Sequence, residues 1–295
     1  MRLSELLARL PATDLDDLAL PRAMLGAFRR KSITFCTGVT DETTVVYWFQ
    51  SRSFTIDLRL PDAAATPVPD RQGWIGDTLW DAGAQEMSWR VESSYQPRNQ
   101  WPEPARFTFI GNSVLEFAPS GAYVEDWRQQ SGKGPLLGLR LLPMRDDESR
   151  EDRSMDGGLI LAGEHLAYAL SRPAAAEKGL RNATDLGRAL ADGLATEMDI
   201  ASYEVSIATN GSAVTHSTRP ERLGQAIVGG DFAVEDDGSI TLRTSDTAPA
   251  SHLRFAVDLY APDFAFTSQT PCTAEACEWM RRESDHLARH AKIVL

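Results

Sequence analysis

The segment from Phe54 to Leu60 alternates apolar and polar side chains without a break. Its residues divide into two faces, with Phe54, Ile56, Leu58 and Leu60 on one and Thr55, Asp57 and Arg59 on the other. A period of two is that of a β-strand, whereas an amphipathic helix repeats every 3.6 residues. Pro61 lacks the N–H that a strand needs and so ends it. One face therefore needs an apolar partner, while the other carries a carboxylate beside a guanidinium.

Similar short strands follow one another along most of the chain. The run 88–95 alternates again, and the turn at 119–121 leads into a further strand. Asn210-Gly211 is typical of a two-residue hairpin turn, because both residues tolerate positive φ, and predicts a hairpin between 203–209 and 212–218. Helical patterns are limited to the two ends and to 182–191, where Asn182 or Thr184 would be the cap. The predicted fold class is all-β, with short terminal helices.

A highly charged segment separates the predicted strands into two groups. Residues 144–158 contain too little apolar surface to pack and too much charge to bury, which predicts a loop or linker. About five or six strands lie on each side, a number suited to two antiparallel barrels packed side by side. The predicted organisation is a helical extension (1–30), a first barrel (31–143), a charged linker (144–158), a second barrel (159–265) and a C-terminal helix (266–295).

The composition of the chain argues against some classes of binding partner. The chain of 295 residues carries a net charge of −12, which repels nucleic acid and anionic membrane surfaces. Three cysteines (Cys36, Cys272 and Cys277) are too few for a disulfide framework, and no signal-peptide or membrane-spanning pattern is present. We therefore expect a cytoplasmic protein with no nucleic-acid or membrane partner, and the sequence leaves a homodimer open. No nucleotide-binding or hydrolase motif occurs, and no cofactor is expected.

Three segments together resemble an uncharacterised bacterial family of calycin-like, lipocalin-type double β-barrel proteins that is related to the fungal HRI-type proteins. They are Trp48–Pro61, Gly163–Arg172, and Tyr203–Ile207 leading to His216–Thr218. The resemblance spans most of residues 31–260 and implies two packed lipocalin-like barrels. It implies no particular activity.

The polar face of the Phe54–Leu60 strand is the first candidate site. If it points into a barrel, Asp57 and Arg59 are buried with polar residues of neighbouring strands, and buried charges are costly unless they are paired. The residues that could join them are Gln50, Arg90, Glu92, Glu116, Glu125 and Trp127. The alternative is that this face lies in solvent, as one face of an antiparallel sheet commonly does.

Two functions of different classes remain open. The first is a binding protein for a small apolar or amphipathic molecule, which enters an aromatic pocket and has its polar end oriented by Gln50, Arg59 and Arg90. The aromatic ligand-binding candidates are Trp48, Trp89, Trp127 and Tyr168.

The second is a cofactor-independent lyase, isomerase or hydrolase. There Asp57 or Glu92 would be the base, Arg59 or Arg90 would stabilise an oxyanion, and His165 would return the proton.

A third hypothesis, an interaction scaffold, would use the charged linker.

The carboxy-terminal segment contains residues of types that bind zinc. Cys272, Cys277, His286 and His290 follow one another there, but Cys277 and His286 lie half a turn apart on a continuous helix. We therefore predict no metal site and expect the two histidines to face solvent. A disulfide between the two cysteines is not expected in a reducing compartment.

Overall fold

The computed structural model describes residues 1–62, 65–91, 95, 103–145, 152–153, 155–180, 183, 185–244 and 251–292. Nearly all of the regular structure is antiparallel sheet, as the strand pattern predicts. The first nine strands are β1 (Gly26–Phe35), β2 (Thr40–Asp41), β3 (Val45–Gln50), β4 (Phe54–Leu60), β5 (Gln72–Asp81), β6 (Glu86–Val91), β7 (Ala105–Ile110), β8 (Ser113–Phe117) and β9 (Tyr123–Gln129).

Eight of these strands form a closed barrel. Each of β3 to β8 pairs with the next strand along the chain, β3 also pairs with β1, and β1 pairs with β9 to close the ring. The short strand β2 is added beside β1. This is an up-and-down order, in which alternate residues of each strand point inward.

The chain continues into a second sheet. Its strands and one small hairpin are β10 (Lys133–Leu141), β11 (Met144–Arg145), β12 (Asp152–Arg153), β13 (Gly157–Ala162), β14 (His165–Leu170), β15 (Glu204–Ala208), β16 (His216–Ser217), β17 (Gly230–Val234), β18 (Ile240–Thr244) and β19 (Ser251–Ala265). β11 and β12 pair only with each other, and the other eight follow the order β16-β15-β14-β13-β10-β19-β18-β17. No pairing joins the two edge strands in the described part of the chain, so a closed second barrel stays a prediction.

The second sheet covers one side of the barrel. The apolar face of β4 points out of the barrel, and Ile56 and Leu58 belong to the same buried cluster as Val205 on β15. The two layers approach closely at Gly138 on β10, where a Cβ would collide with the Ser51 hydroxyl. Both faces of β4 are therefore buried, and the polar face is the one inside the barrel.

A second core lies on the other side of the second sheet, and the N-terminal helix α1 (Leu3–Leu7) completes it. Leu6 is fully buried there. The Tyr260 hydroxyl donates to the Leu7 carbonyl at 2.6 Å, and the amino group of Met1 donates to the Phe232 carbonyl at 2.9 Å. Residues 1–30, expected to be an extension, thus contribute α1 to this core and the beginning of β1 to the barrel.

Four further helices are short or exposed. They are α2 (Ala174–Leu180), α3 (Leu186–Ala191), α4 (Glu197–Ile200) and α5 (Ala274–Arg289). α5 lies within the segment for which the sequence predicts a C-terminal helix (266–295), and Thr273 caps it. α3 begins later than its pattern suggested, because the Asp185 side chain accepts the Arg188 N–H at 2.7 Å and forms the cap. Asn182 and Thr184 lie outside the described residues. None of the helices in the described ranges is long and apolar enough to cross a membrane.

Two local expectations are corrected. β10 was assigned to the first barrel (31–143), but it pairs with β13 and β19 in the second sheet. Alternation alone does not reveal which sheet a strand joins, and β10 is buried on both faces.

The hairpin around Asn210 is wider than a two-residue turn, because its last pair is Ile207 with His216. Residues 212–215, which the sequence predicts to be part of the second strand, lie outside β16.

Candidate functional site

One cavity lies inside the closed barrel. Among the described residues, nine side chains from six strands line it: Trp48, Asp57, Arg59, Trp74, Trp89, Glu116, Tyr123, Glu125 and Trp127. The space between them measures about 370 Å³ when its opening to solvent is included. Only a small part of this space lies clear of the wall atoms, enough for about one or two water molecules. A larger guest therefore requires side chains to move.

Strand alternation explains which residues meet in the cavity. Asp57 and Arg59 are two residues apart on β4, and Tyr123, Glu125 and Trp127 occupy every second position of β9. Because successive strand residues point to opposite sides, each set lies on a single face. Both sets point into the barrel, whose interior is therefore polar and aromatic at this level.

Asp57 and Arg59 form a buried ion pair. Arg59 Nε donates to Asp57 Oδ1 at 2.8 Å and Arg59 Nη2 to Asp57 Oδ2 at 3.3 Å, so both carboxylate oxygens are bound. Burial by itself would lower the pKa of the Arg59 guanidinium, but the neighbouring carboxylates, Asp57 foremost, raise that pKa above its usual value. The guanidinium is therefore a fixed positive charge of the barrel interior.

Glu116 lies beside a second carboxyl group on the same wall of the cavity. It is the direct partner of Glu125 in the β8–β9 pairing, and both side chains are buried. Glu116 accepts hydrogen bonds from Trp127 Nε1 at 3.1 Å and from the Tyr123 hydroxyl at 3.3 Å. Burial, and next the charge of Glu125, raise the pKa of Glu116 well above its usual value. Proximity to Arg59 and the two hydrogen bonds only partly oppose this rise.

Glu125 has a cation of its own. Arg30 on β1 donates to Glu125 Oε1 at 2.7 Å and to Asp41 Oδ2 at 2.9 Å. Arg30 is buried, so its two carboxylate partners compensate its charge where water cannot. Glu116 takes part in no ion pair within the described part of the chain.

The tryptophans differ in how firmly they are held. Trp48 stacks on Phe28 with ring centroids 4.7 Å apart, and Trp48 Nε1 donates to Gln50 Oε1 at 3.2 Å. Trp127 is fixed through Glu116. Trp89 packs edge-on against Trp74 at 6.4 Å, and its indole N–H is buried without a hydrogen-bond partner among the described residues. An unpartnered buried donor is a place where a water molecule or a guest atom would be stabilised.

The structure brings together five of the ten residues proposed from the sequence, namely Trp48, Asp57, Arg59, Trp89 and Trp127. Their roles in binding or catalysis stay predictions. Gln50 is buried at the end of β3, where its amide nitrogen donates to Thr78 Oγ1 at 2.8 Å and to two backbone carbonyls. Its amide is thus engaged by the barrel itself.

The other proposed residues lie elsewhere. Arg90 points out of the barrel, pairs with Asp77 at 2.5 Å and leaves 66% of its side chain exposed, because it neighbours the inward-facing Trp89. His165 and Tyr168 belong to β14 of the second sheet. Burial lowers the pKa of the His165 imidazole, against the charge of Glu164. Glu92 lies outside the described residues.

Sequence reasoning missed Trp74 and Tyr123 as lining residues. The signal was present for Tyr123, since Tyr123, Glu125 and Trp127 alternate on one strand. Trp74 is the direct partner of Asp57 in the β4–β5 pairing, so its inward orientation follows from a register that a single strand pattern does not give.

The carboxy-terminal cysteines and histidines form no metal cluster. No group of three or more metal-binding side chains occurs among the residues that the structure describes. The His286 and His290 rings lie 5.2 Å apart on α5. The Cys272 and Cys277 sulfur atoms are 2.8 Å apart and exposed, which places the two thiols in contact.

Comparison of this chain with known protein families, with curated proteins and with solved structures finds no match.

Proposed function

We propose that this protein binds a small amphipathic molecule inside the barrel formed by β1 and β3 to β9. One observation carries the proposal: four indole rings and a buried carboxylate–guanidinium pair surround a single cavity. Ligand sites combine apolar, aromatic walls with a few well-placed polar groups, and this wall has that composition. A barrel interior that served stability alone would be filled by aliphatic side chains and would avoid the cost of burying charge.

The polar groups are held in place before any guest arrives. Asp57 and Arg59 bind each other, and Glu116 is fixed by Trp127 and Tyr123. Preorganised groups lose little freedom on binding, which favours recognition of a guest over simple filling of space.

Trp89 is the side chain that we expect to move when a guest enters. Its indole N–H makes no hydrogen bond to another described residue, and its side chain is only half-buried, whereas Trp48 and Trp127 are buried and hydrogen-bonded. Rotation of Trp89 therefore breaks no hydrogen bond of its indole N–H to a described residue, and it would enlarge the cavity.

The cavity supports binding better than the catalytic alternative. In that scheme Asp57 would take a proton, but both of its oxygens are bound by Arg59. The acid proposed to return the proton, His165, lies on the second sheet and does not line the cavity. No observation in the described residues favours a reaction.

We also infer a calycin-like relationship and a second barrel. The up-and-down order of eight strands supports the first inference, and the eight strands and separate core of the second sheet support the other. Cytoplasmic location and a homodimer are proposals that rest on composition alone.

The proposal is tested by titrating a library of small amphipathic fragments while tryptophan fluorescence is recorded. We expect saturable changes for some fragments, and a change of affinity in Trp89→Phe, which removes the unpartnered N–H. Trp279→Phe, on the exposed helix α5, is the matched control and should leave binding unchanged. Binding that is insensitive to Trp89→Phe and Trp127→Phe but lost in Trp279→Phe would place the guest outside the barrel and overturn the proposal.

A further inference from the structure

Among the described residues, the side chains that line the cavity include more carboxyl groups than cations. Asp57, Glu116 and Glu125 line it, against the single guanidinium of Arg59. Arg59 binds Asp57 and Arg30 binds Glu125, so each of these carboxylates has its own cation. Glu116 is the remaining carboxyl.

Among the described residues, the donors that bind Glu116 are both neutral. Trp127 Nε1 and the Tyr123 hydroxyl donate to its two oxygens, and no ion pair to Glu116 occurs among the described residues. A buried carboxylate without a cation is unfavourable and tends to hold a proton instead. A positive charge brought into the cavity would replace that proton.

The walls around Glu116 suit an organic cation. The cavity is lined by the indoles of Trp48, Trp74, Trp89 and Trp127 and the phenol of Tyr123. Aromatic faces attract cations through the ring quadrupole, most strongly in tryptophan, and cages of aromatic rings recognise quaternary ammonium groups. The unpartnered Trp89 N–H would in addition donate to a neutral oxygen of the same guest.

We propose that the ligand is a small organic cation, a protonated or quaternary amine with a neutral oxygen acceptor, whose charge lies beside Glu116 between the tryptophan rings. This inference rests on the proposed binding function and specifies its ligand class. A small anion would instead approach Glu116 and Glu125 and would have to compete with Asp57 for Arg59, so it is disfavoured at the same site.

Binding of such a cation is coupled to proton release. The ionisable groups facing Glu116 are Glu125 and Tyr123 from β9, and Asp57 and Arg59 from β4, with Arg30 behind Glu125. The burial that raises the pKa of Glu116 favours its neutral form in the empty cavity, and a neighbouring cation favours the ionised form. Affinity for the cation should therefore increase with pH until Glu116 is ionised in the free protein.

Choline and 3,3-dimethylbutan-1-ol provide a direct test, because they have the same shape and differ in charge. Calorimetric titration of the full chain with each compound measures the preference for charge. Repeating the choline titration in phosphate and in PIPES, two buffers of net negative charge that differ in ionisation enthalpy, measures the protons released. Glu116→Gln removes the charge and keeps the size, and Glu42→Gln, at an exposed position between β2 and β3, is the matched control.

We expect choline to bind the wild-type protein and the Glu42→Gln variant at least about tenfold more tightly than the neutral alcohol. Up to about one proton should be released per choline below the pKa of Glu116. In Glu116→Gln both the preference for charge and the proton release should disappear. If this variant fails to fold, the two compounds and two buffers still decide the outcome with the wild-type protein.

Equal or tighter binding of the alcohol, or no choline binding up to about 10 mM, would overturn the cation proposal. The binding function would survive if the alcohol or another neutral fragment perturbed the cavity tryptophans. If no fragment perturbed them, both proposals would be contradicted.

Discussion

Glu116 and Glu125 lie directly opposite each other on β8 and β9, with both carboxyl groups inside the barrel. Glu125 is bound by Arg30, and Glu116 is held by a phenol and an indole. This asymmetry leaves Glu116 without a bound cation among the described residues, and burial raises its pKa well above the usual value.

The first prediction concerns stability against pH. The folded-state pKa of Glu116 is raised above its unfolded value of about 4.5, so the folded protein holds this proton more tightly. The contribution of this proton to the free energy of unfolding is fully present below the unfolded pKa and is lost as the pH rises through the folded pKa. Urea unfolding of Glu116→Gln should show less loss of stability over this window than the wild type, by up to about 1.4 kcal/mol per pH unit. Parallel pH profiles for the two proteins would contradict the assignment.

The Asp57–Arg59 pair gives the second prediction. Arg59→Met leaves the buried Asp57 carboxylate without its bound cation, and loss of one partner of a buried pair costs about 3–5 kcal/mol. Arg90→Met breaks the exposed pair with Asp77 and should cost no more than about 1 kcal/mol. The free energies of unfolding in urea distinguish the two. Similar small losses in both variants would mean that the Asp57–Arg59 pair is solvated.

Trp127 provides the third prediction. From the sequence, Trp127→Ala is expected to weaken binding without a large loss of stability. The structure changes that expectation, because Trp127 is 2% exposed and belongs to the main core, where Trp→Ala costs about 3–5 kcal/mol. Trp279→Ala, 47% exposed on α5, should change the free energy of unfolding by about 0.5 kcal/mol or less. Comparable effects of the two substitutions would contradict this packing.

The fourth prediction tests the N-terminal helix. Leu6 is fully buried against the second sheet, so Leu6→Ala should lower the free energy of unfolding by about 2–5 kcal/mol. Met198→Ala, at a position 82% exposed in α4, is a large-to-small control that should have little effect. A neutral Leu6→Ala would show that α1 does not contribute to the core.

The alternation at Phe54–Leu60 was enough to predict the strand and the two faces. It could not decide which face is interior, because the outer face of β4 packs against another sheet and is as apolar as a core face. The correct orientation depends on closure of the barrel between β1 and β9, a contact about one hundred residues apart in sequence. Barrel closure also explains why Tyr123 on β9 lines the same cavity as Asp57 on β4.

The sequence pattern did not predict the short helices α2 and α4, nor the sheet to which β10 belongs. α2 and α4 are only 7 and 4 residues long, too short for a 3.6-residue period to stand out. β10 has apolar residues on both faces, and only its pairing with β13 and β19 places it in the second sheet.

Nuclear magnetic resonance of the tryptophan indole N–H groups tests the central claim, that the barrel cavity is the binding site, most directly. Each tryptophan gives one indole signal, which single Trp→Phe substitutions assign. On titration with a bound fragment, we expect the signals of Trp48, Trp74, Trp89 and Trp127 to shift, while those of Trp80 and Trp279, which do not line the cavity, stay in place. Saturable binding that shifts Trp80 or Trp279 and leaves the four cavity signals unchanged would contradict the account.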